Sequence, residues 1–108
     1  MNIVIKGIGV DADAAGAVQY GADAIWVSNH GGRATETGLG TIECLPEIVS
    51  AVNGRTPIIV DGCFRLGTAI YKALAMGASA VGIGRPNCFG LGALGKGGVK
   101  GLGELLHK

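Results

Sequence analysis

Charge is scarce in this chain, and what there is nearly cancels. Charged residues make up 16% of the 108 residues, and the net charge is +1. That leaves no electrostatic footprint for nucleic acid or for an anionic membrane, and neither is expected as a partner. Long apolar runs are missing as well. No stretch approaches the length of a membrane span, and Met1 leads into a strand rather than a secretory leader. Only three cysteines occur (Cys44, Cys63 and Cys88), an odd number with no Cys-x-x-Cys spacing. A disulfide framework and a zinc site are therefore not expected, and no metal is. A reducing compartment fits, cytoplasmic or organellar, rather than secretion. Linkers and low-complexity boundaries are also missing, so one domain is expected over residues 1–108.

What the chain does have is apolar content and glycine. Hydrophobic residues reach 48%, which excludes disorder, and glycines number 21 without a collagen period. Many of them fall where a strand hands over to a helix. The glycines from Gly90 to Gly103 lie in a segment that otherwise reads as helix, and each costs a helix about 1 kcal/mol relative to alanine. That tail is expected to be the least stable part.

The pattern reads as four repeats of strand then helix. Strands are expected near 3–6, 24–28, 57–61 and 80–84. Helices are expected from Asp11 to Tyr20, from a Thr41 cap to about Val52, from about Leu66 to Met76, and over the C-terminal segment. Thr41-Ile42-Glu43-Cys44 reads as a partial capping box, with the acid displaced from its usual place. Gly21-Ala22-Asp23-Ala24 and Gly77-Ala78-Ser79-Ala80 are the same turn twice. This repeat argues for an α/β fold with a parallel sheet of right-handed βαβ units.

Polar residues arrive at the same end of every strand. The first strand ends in Lys6-Gly7, the second in Ser28-Asn29-His30-Gly31-Gly32-Arg33, the third in Asp61-Gly62-Cys63-Phe64-Arg65, and the fourth in Gly84-Arg85-Pro86. One such His or Arg is ordinary loop furniture. Four matching strand ends in order form the layout of the catalytic face of a (β/α)8 TIM barrel. His30 beside Arg33 suits a base with an anion clamp. Gly62, Cys63, Arg65, Gly84 and Arg85 suit a phosphate.

These residues carry a family resemblance. Val4-Ile5-Lys6-Gly7-Ile8, Val27-Ser28-Asn29-His30-Gly31-Gly32-Arg33, Leu45-Pro46-Glu47, Asp61-Gly62, Lys72-Ala73-Leu74-Ala75-Met76-Gly77-Ala78 and Ile83-Gly84-Arg85-Pro86 run through the whole chain. Together they resemble the C-terminal half of the FMN-dependent α-hydroxy-acid oxidases and dehydrogenases, the glycolate oxidase, lactate oxidase and flavocytochrome b2 group. The Ser-Asn-His-Gly-Gly-Arg motif is the most specific of them. The resemblance implies FMN as cofactor, small (S)-2-hydroxy acids as substrates, and 2-oxo acids as products. By the same resemblance Lys6 stands at the flavin N1–O2 edge, Ser28 hydrogen-bonds the flavin, His30 is the base, and Arg33 grips the substrate carboxylate. Asp61, Gly62, Cys63 and Arg65 would hold the ribityl chain and phosphate, with Gly84 and Arg85 completing the phosphate site. A peroxisome-type location is compatible with that family.

The sequence also departs from the family pattern. Asp61-Gly62-Cys63 stands where the family has Asp-Gly-Gly, Arg65-Leu66-Gly67-Thr68-Ala69 where it has Arg-Arg-Gly-Thr-Asp, and the stretch from Ala34 to Gly40 lacks the usual Gln-Leu-Asp. The fold expected is half of a (β/α)8 barrel, completed by oligomerisation or by a matching N-terminal half. Two functions are open at this point. One is the base-bearing and FMN-phosphate-binding half of a 2-hydroxy-acid oxidoreductase, inactive alone. The other is a catalytically silent half-barrel that binds flavin or phosphate or serves as a self-assembly module.

Overall fold

The computed structural model describes residues 1–34 and 38–107. The described elements follow in strict alternation: β1 (Val4–Ile8), α1 (Asp11–Gln19), β2 (Ala24–Val27), α2 (Thr41–Val52), β3 (Ile58–Val60), α3 (Gly67–Ala75), β4 (Ala80–Val81) and α4 (Arg85–Leu106). The four strands form one parallel sheet in the order β1-β2-β3-β4. Spatial order repeats sequence order, so the sheet has no point at which winding reverses. Right-handed crossovers then place successive helices on the same side, which is the winding of a barrel and not of a doubly wound sheet.

Side-chain parity decides which face is covered. Ile25 and Val27 of β2, with Ile58 and Val60 of β3, bury themselves against Leu45, Ile48 and Val52 of α2, Ala14 of α1 and Ala73 of α3. The alternate residues Trp26 and Ile59 face the other way and are only half-buried. At the sheet edge, Val4 and Ile5 of β1 are exposed although apolar. β1 thus presents an unpaired parallel edge with an apolar border.

Three local readings change. β1 runs on to Ile8 because Gly7 forms a bulge, with Lys6 opposite Trp26 and Ile8 opposite Val27. The N-cap of α2 is Gly40 rather than Thr41, which puts Glu43 at the third helical position; its carboxylate accepts from the Gly40 N–H at 2.7 Å. Thr41 is thereby released for another partner. The C-terminal helix is two segments meeting at Leu94 and Gly95, whose backbone is not helical. Gly90 and Gly98 touch backbone to backbone across that kink: a Cβ on Gly90 would lie 2.9 Å from the Gly98 carbonyl oxygen. The glycines that weaken the helix therefore allow its two segments to meet.

Burial separates the three cysteines. Cys44 is buried in the core, while Cys63 and Cys88 are exposed. Burial raises the Cys44 thiol pKa above 9.0, and the Glu47 and Glu43 carboxylates push it the same way. The folded chain then holds this proton after the unfolded chain has released it. The associated stability is complete below pH 9.0 and declines as pH rises past that point. Cys63 and Cys88 should react promptly with a maleimide at pH 8 and Cys44 only on unfolding, as counted by mass spectrometry. Equal labelling of all three in the folded chain would contradict this packing.

Candidate functional site

The C-terminal ends of the strands enclose a pocket of about 400 Å³, within the range of small-molecule sites. Lys6, His30, Arg33, Asp61, Gly62, Cys63, Arg65, Gly84 and Arg85 all line it. Ser28 is buried beneath them rather than on the wall. Among the described residues, four basic side chains thus line the pocket with one carboxylate, Asp61, a balance that favours anions.

Parity again explains the floor. Trp26 lies opposite Lys6 on β1 and Ile59 on β3, so the three share one face. Ser28 and Asp61 each stand two residues further along and return to that face. The Lys6 ammonium donates to Ser28 Oγ at 2.9 Å and pairs with Asp61 Oδ2 at 3.2 Å. Its nitrogen lies 5.4 Å from the centroid of the Trp26 ring. Ser28 Oγ also accepts from the His30 N–H at 3.1 Å. The hydroxyl therefore ties the ammonium to the imidazole-bearing loop.

His30 sits in a left-handed conformation, φ 55°. Few side chains tolerate this, histidine among the better ones, and such strain persists where the surroundings impose it. The turn is locked by Asn29, whose Oδ1 accepts from the Gly31 and Gly32 N–H groups at 3.1 and 3.2 Å. On its other side the imidazole packs on Gly7. A Cβ there would stand 2.7 Å from His30 Nε2, and φ at Gly7 is +101°. Only glycine serves at that bulge. Arg33 Nε donates back to the His30 carbonyl at 3.4 Å, keeping the guanidinium on the same loop.

The third strand end is pinned from α2. The Thr41 hydroxyl donates to the Asp61 carbonyl, and the adjoining Gly62 leaves no room for a side chain against it. Cys63 follows with φ 59°. Its Sγ lies 3.6 Å from an Arg85 terminal nitrogen. Arg85 opens α4 and also passes over Gly31, where a Cβ would be 3.4 Å from the guanidinium. Phe64, buried, closes the wall. The part of the Ala34–Gly40 departure that falls on residues 35–37 lies outside the described residues.

Sequence reasoning missed Thr41, Gly7 and Trp26 as parts of the site. Locally, Thr41 reads as a helix cap and Gly7 as a strand end. Trp26 carried a usable signal, an aromatic at the parity of Ser28.

A left-handed Cys63 carries a testable cost. A residue with a Cβ loses about 1–2 kcal/mol there, while glycine loses about 0.4–1 kcal/mol through the freedom of its unfolded chain. Cys63→Gly should therefore stabilise the fold by about 0.5 kcal/mol, raising Tm by roughly 2–4 °C. A lower Tm would mean that the thiol contact with Arg85 outweighs the strain.

The comparisons agree on one family. The profile of the FMN-dependent dehydrogenases matches residues 1–108. An L-lactate oxidase of Nostoc sp. is 53% identical over 108 residues, all of this chain and 30% of that protein. A 2-hydroxyacid oxidase of Dictyostelium discoideum is 54% identical over 107 residues, 99% of this chain and 28% of that one. A peroxisomal (S)-2-hydroxyacid oxidase of Arabidopsis thaliana is 50% identical over 106 residues, covering 98% and 29%. Among solved structures, a mandelate oxidase variant with a monooxide FMN adduct superposes with a TM-score of 0.95 at 48% identity, covering 99% of this chain and 34% of that one. The chain thus spans about a third of the length of the proteins it matches. The expected C-terminal half is corrected accordingly: four βα units are present, but they amount to 30% of the Nostoc protein and not to half of it.

Proposed function

The chain belongs to the FMN-dependent dehydrogenase family, and we propose that it forms the flavin-holding, proton-accepting wall of an enzyme that oxidises small (S)-2-hydroxy acids to 2-oxo acids. The family's cofactor is FMN. The observation that carries the reading is the convergence of Lys6, His30, Arg33, Arg65 and Arg85 from four successive strand ends on one pocket. The donor set fits FMN. Arg65, Arg85 and the N-terminus of α4 offer planar cations and a helix dipole to a phosphate, and Gly84 and Gly31 leave that corner free of side chains.

When bound, FMN would take up the two electrons and one of the two protons that the substrate loses, the other going to His30. The chain's own residues do the rest. Arg33 holds the substrate carboxylate with paired N–H donors and so orients the α-carbon. His30 takes the proton given up by the hydroxy acid, its ring fixed by Gly7 and its backbone by Ser28. Lys6 supplies positive charge on the pocket floor, which would offset negative charge on a reduced flavin. Asp61 and Gly62 shape the loop, and Cys63 and Arg65 carry it to the phosphate corner. Names of relatives support the substrate class, which includes lactate and 2-hydroxyacids, and a peroxisomal relative supports an organellar setting. Among the described residues no helix is long and apolar enough to cross a membrane.

A second reading concerns the chain by itself. The exposed Val4 and Ile5 at the β1 edge favour a unit that works only when covered, by the rest of a barrel or by a second copy. Alone, it binds FMN or phosphate and does not turn over, because the pocket stands partly open to water. Purified chain mixed with FMN should show a flavin spectrum perturbed by binding. Anaerobic lactate or glycolate should leave that spectrum unbleached. Absence of FMN binding would remove the functional proposal; rapid bleaching would remove the second reading.

A further inference from the structure

We propose that Trp26 is a positioning residue for Lys6, and that its indole face is one of three supports that hold the ammonium where it acts on a reduced flavin. The inference rests on the functional reading above and extends it to a residue outside the pocket wall. Three groups from the ends of β2 and β3 support the lysine nitrogen: the Ser28 hydroxyl at 2.9 Å, the Asp61 carboxylate at 3.2 Å, and the Trp26 ring with its centroid at 5.4 Å. An ammonium over an indole face is attracted by the ring quadrupole, and indole is the best of the aromatic platforms. Ser28 and Asp61 act on the nitrogen through directed contacts. The ring adds a broad apolar bed for the four-carbon stem, which otherwise has the freedom of a half-exposed side chain.

The sheet is built to accept this ring. Gly82, just past β4, lies beneath it: a Cβ there would meet Trp26 Cζ2 at 3.0 Å and Asp61 Cβ at 3.2 Å. Gly82 thus leaves room for both supports at once. Trp26 Nε1 is the one buried side-chain polar atom without a hydrogen-bond partner among the described residues. A buried indole N–H usually finds a partner. At the same parity on β3, Ile59 offers only an aliphatic chain, so the ring face that meets Lys6 is Trp26's own.

Trp26 is the only tryptophan in the chain, which makes the test clean. The first measurement is proton NMR of the full chain without flavin. The Lys6 ε-methylene protons should resonate upfield of ordinary lysines in the wild type. They should return to the ordinary position in Trp26→Leu and shift part of the way in Trp26→Phe. The second measurement is affinity for oxidised and for reduced FMN, read from flavin absorbance. Trp26→Leu should weaken binding of reduced FMN about three- to tenfold, the scale of a partly desolvated cation–π contact. Binding of oxidised FMN should change less than twofold. In a Lys6→Met background the tryptophan substitution should no longer alter the ratio. Ordinary Lys6 shifts in the wild type, or an unchanged affinity ratio in Trp26→Leu and Trp26→Phe, would overturn the proposal. If the wild type binds no FMN, the functional reading falls, and the NMR result alone then decides the perch. If FMN binds and Lys6 shows no ring shift, the perch falls and the functional reading stands.

Discussion

Replacing His30 by alanine should slow flavin reduction by lactate about 10²–10⁴-fold while leaving FMN bound, the range a positioned general base contributes. The measurement needs a complete barrel. A chimera in which this chain replaces the matching third of the Nostoc lactate oxidase supplies one, since the two are 53% identical over all 108 residues. Stopped-flow bleaching of the flavin band then reports the reductive step alone. The expected size follows from the way His30 is held. Its left-handed turn is fixed by the two amide contacts to Asn29, and its N–H by Ser28. A strained conformation with that much support is a pre-organised one, and losing its imidazole removes a group that costs nothing to orient during reaction. Gly7→Ala supplies the control. It keeps the imidazole but places a Cβ 2.7 Å from Nε2, in a backbone conformation that alanine resists. A substantial part of the His30→Ala loss should appear there too. A chimera that keeps its rate within tenfold without His30 would remove histidine from the mechanism.

The parts of this site that sequence reveals are those written along one strand. Ala24 to Val27 is apolar and β-rich, and Ser28-Asn29-His30 follows at once, so a buried strand delivering polar groups is legible without a structure. The same holds for Ile58 to Val60 running into Asp61. What stays hidden is the choice of partner across long separations. Thr41 has two uses for its hydroxyl, a helix cap or the Asp61 carbonyl twenty residues away, and local pattern favours the cap. Gly40 takes the cap position because Glu43 answers its N–H, leaving Thr41 free. The Gly7 bulge is invisible for a similar reason: a glycine after Lys6 reads as a strand end until the register against β2 is known. In the tail, counting glycines correctly flags a weak helix. It does not reveal that Gly90 and Gly98 are spaced to touch once Leu94 and Gly95 break the helix.

Arg85→Ala should weaken FMN binding about 10–100-fold and leave riboflavin binding almost unchanged, because one charge-assisted contact to phosphate contributes about 1.5–3 kcal/mol. Riboflavin carries the ring and ribityl chain without the phosphate, so the ratio of the two affinities isolates the phosphate corner. Arg85 is the stronger candidate of the two arginines there. It opens α4, lies over Gly31 and has a terminal nitrogen 3.6 Å from Cys63 Sγ, so its guanidinium has neighbours on two strand ends. Arg65, exposed like Arg85, lines the same pocket but has no protein hydrogen-bond partner among those described. It has more freedom to lose on binding, and its replacement should cost less. Discrimination should not vanish in Arg85→Ala. The N-terminus of α4 still offers roughly 0.3–1 kcal/mol to an anion, and Arg65 remains. A preference of several-fold for FMN over riboflavin should therefore survive, and should shrink as salt is raised. Equal loss of FMN and riboflavin would place the damage in the fold rather than at the phosphate. No loss of either would mean that the phosphate is held elsewhere, and the four strand ends would then need a different anion to explain them.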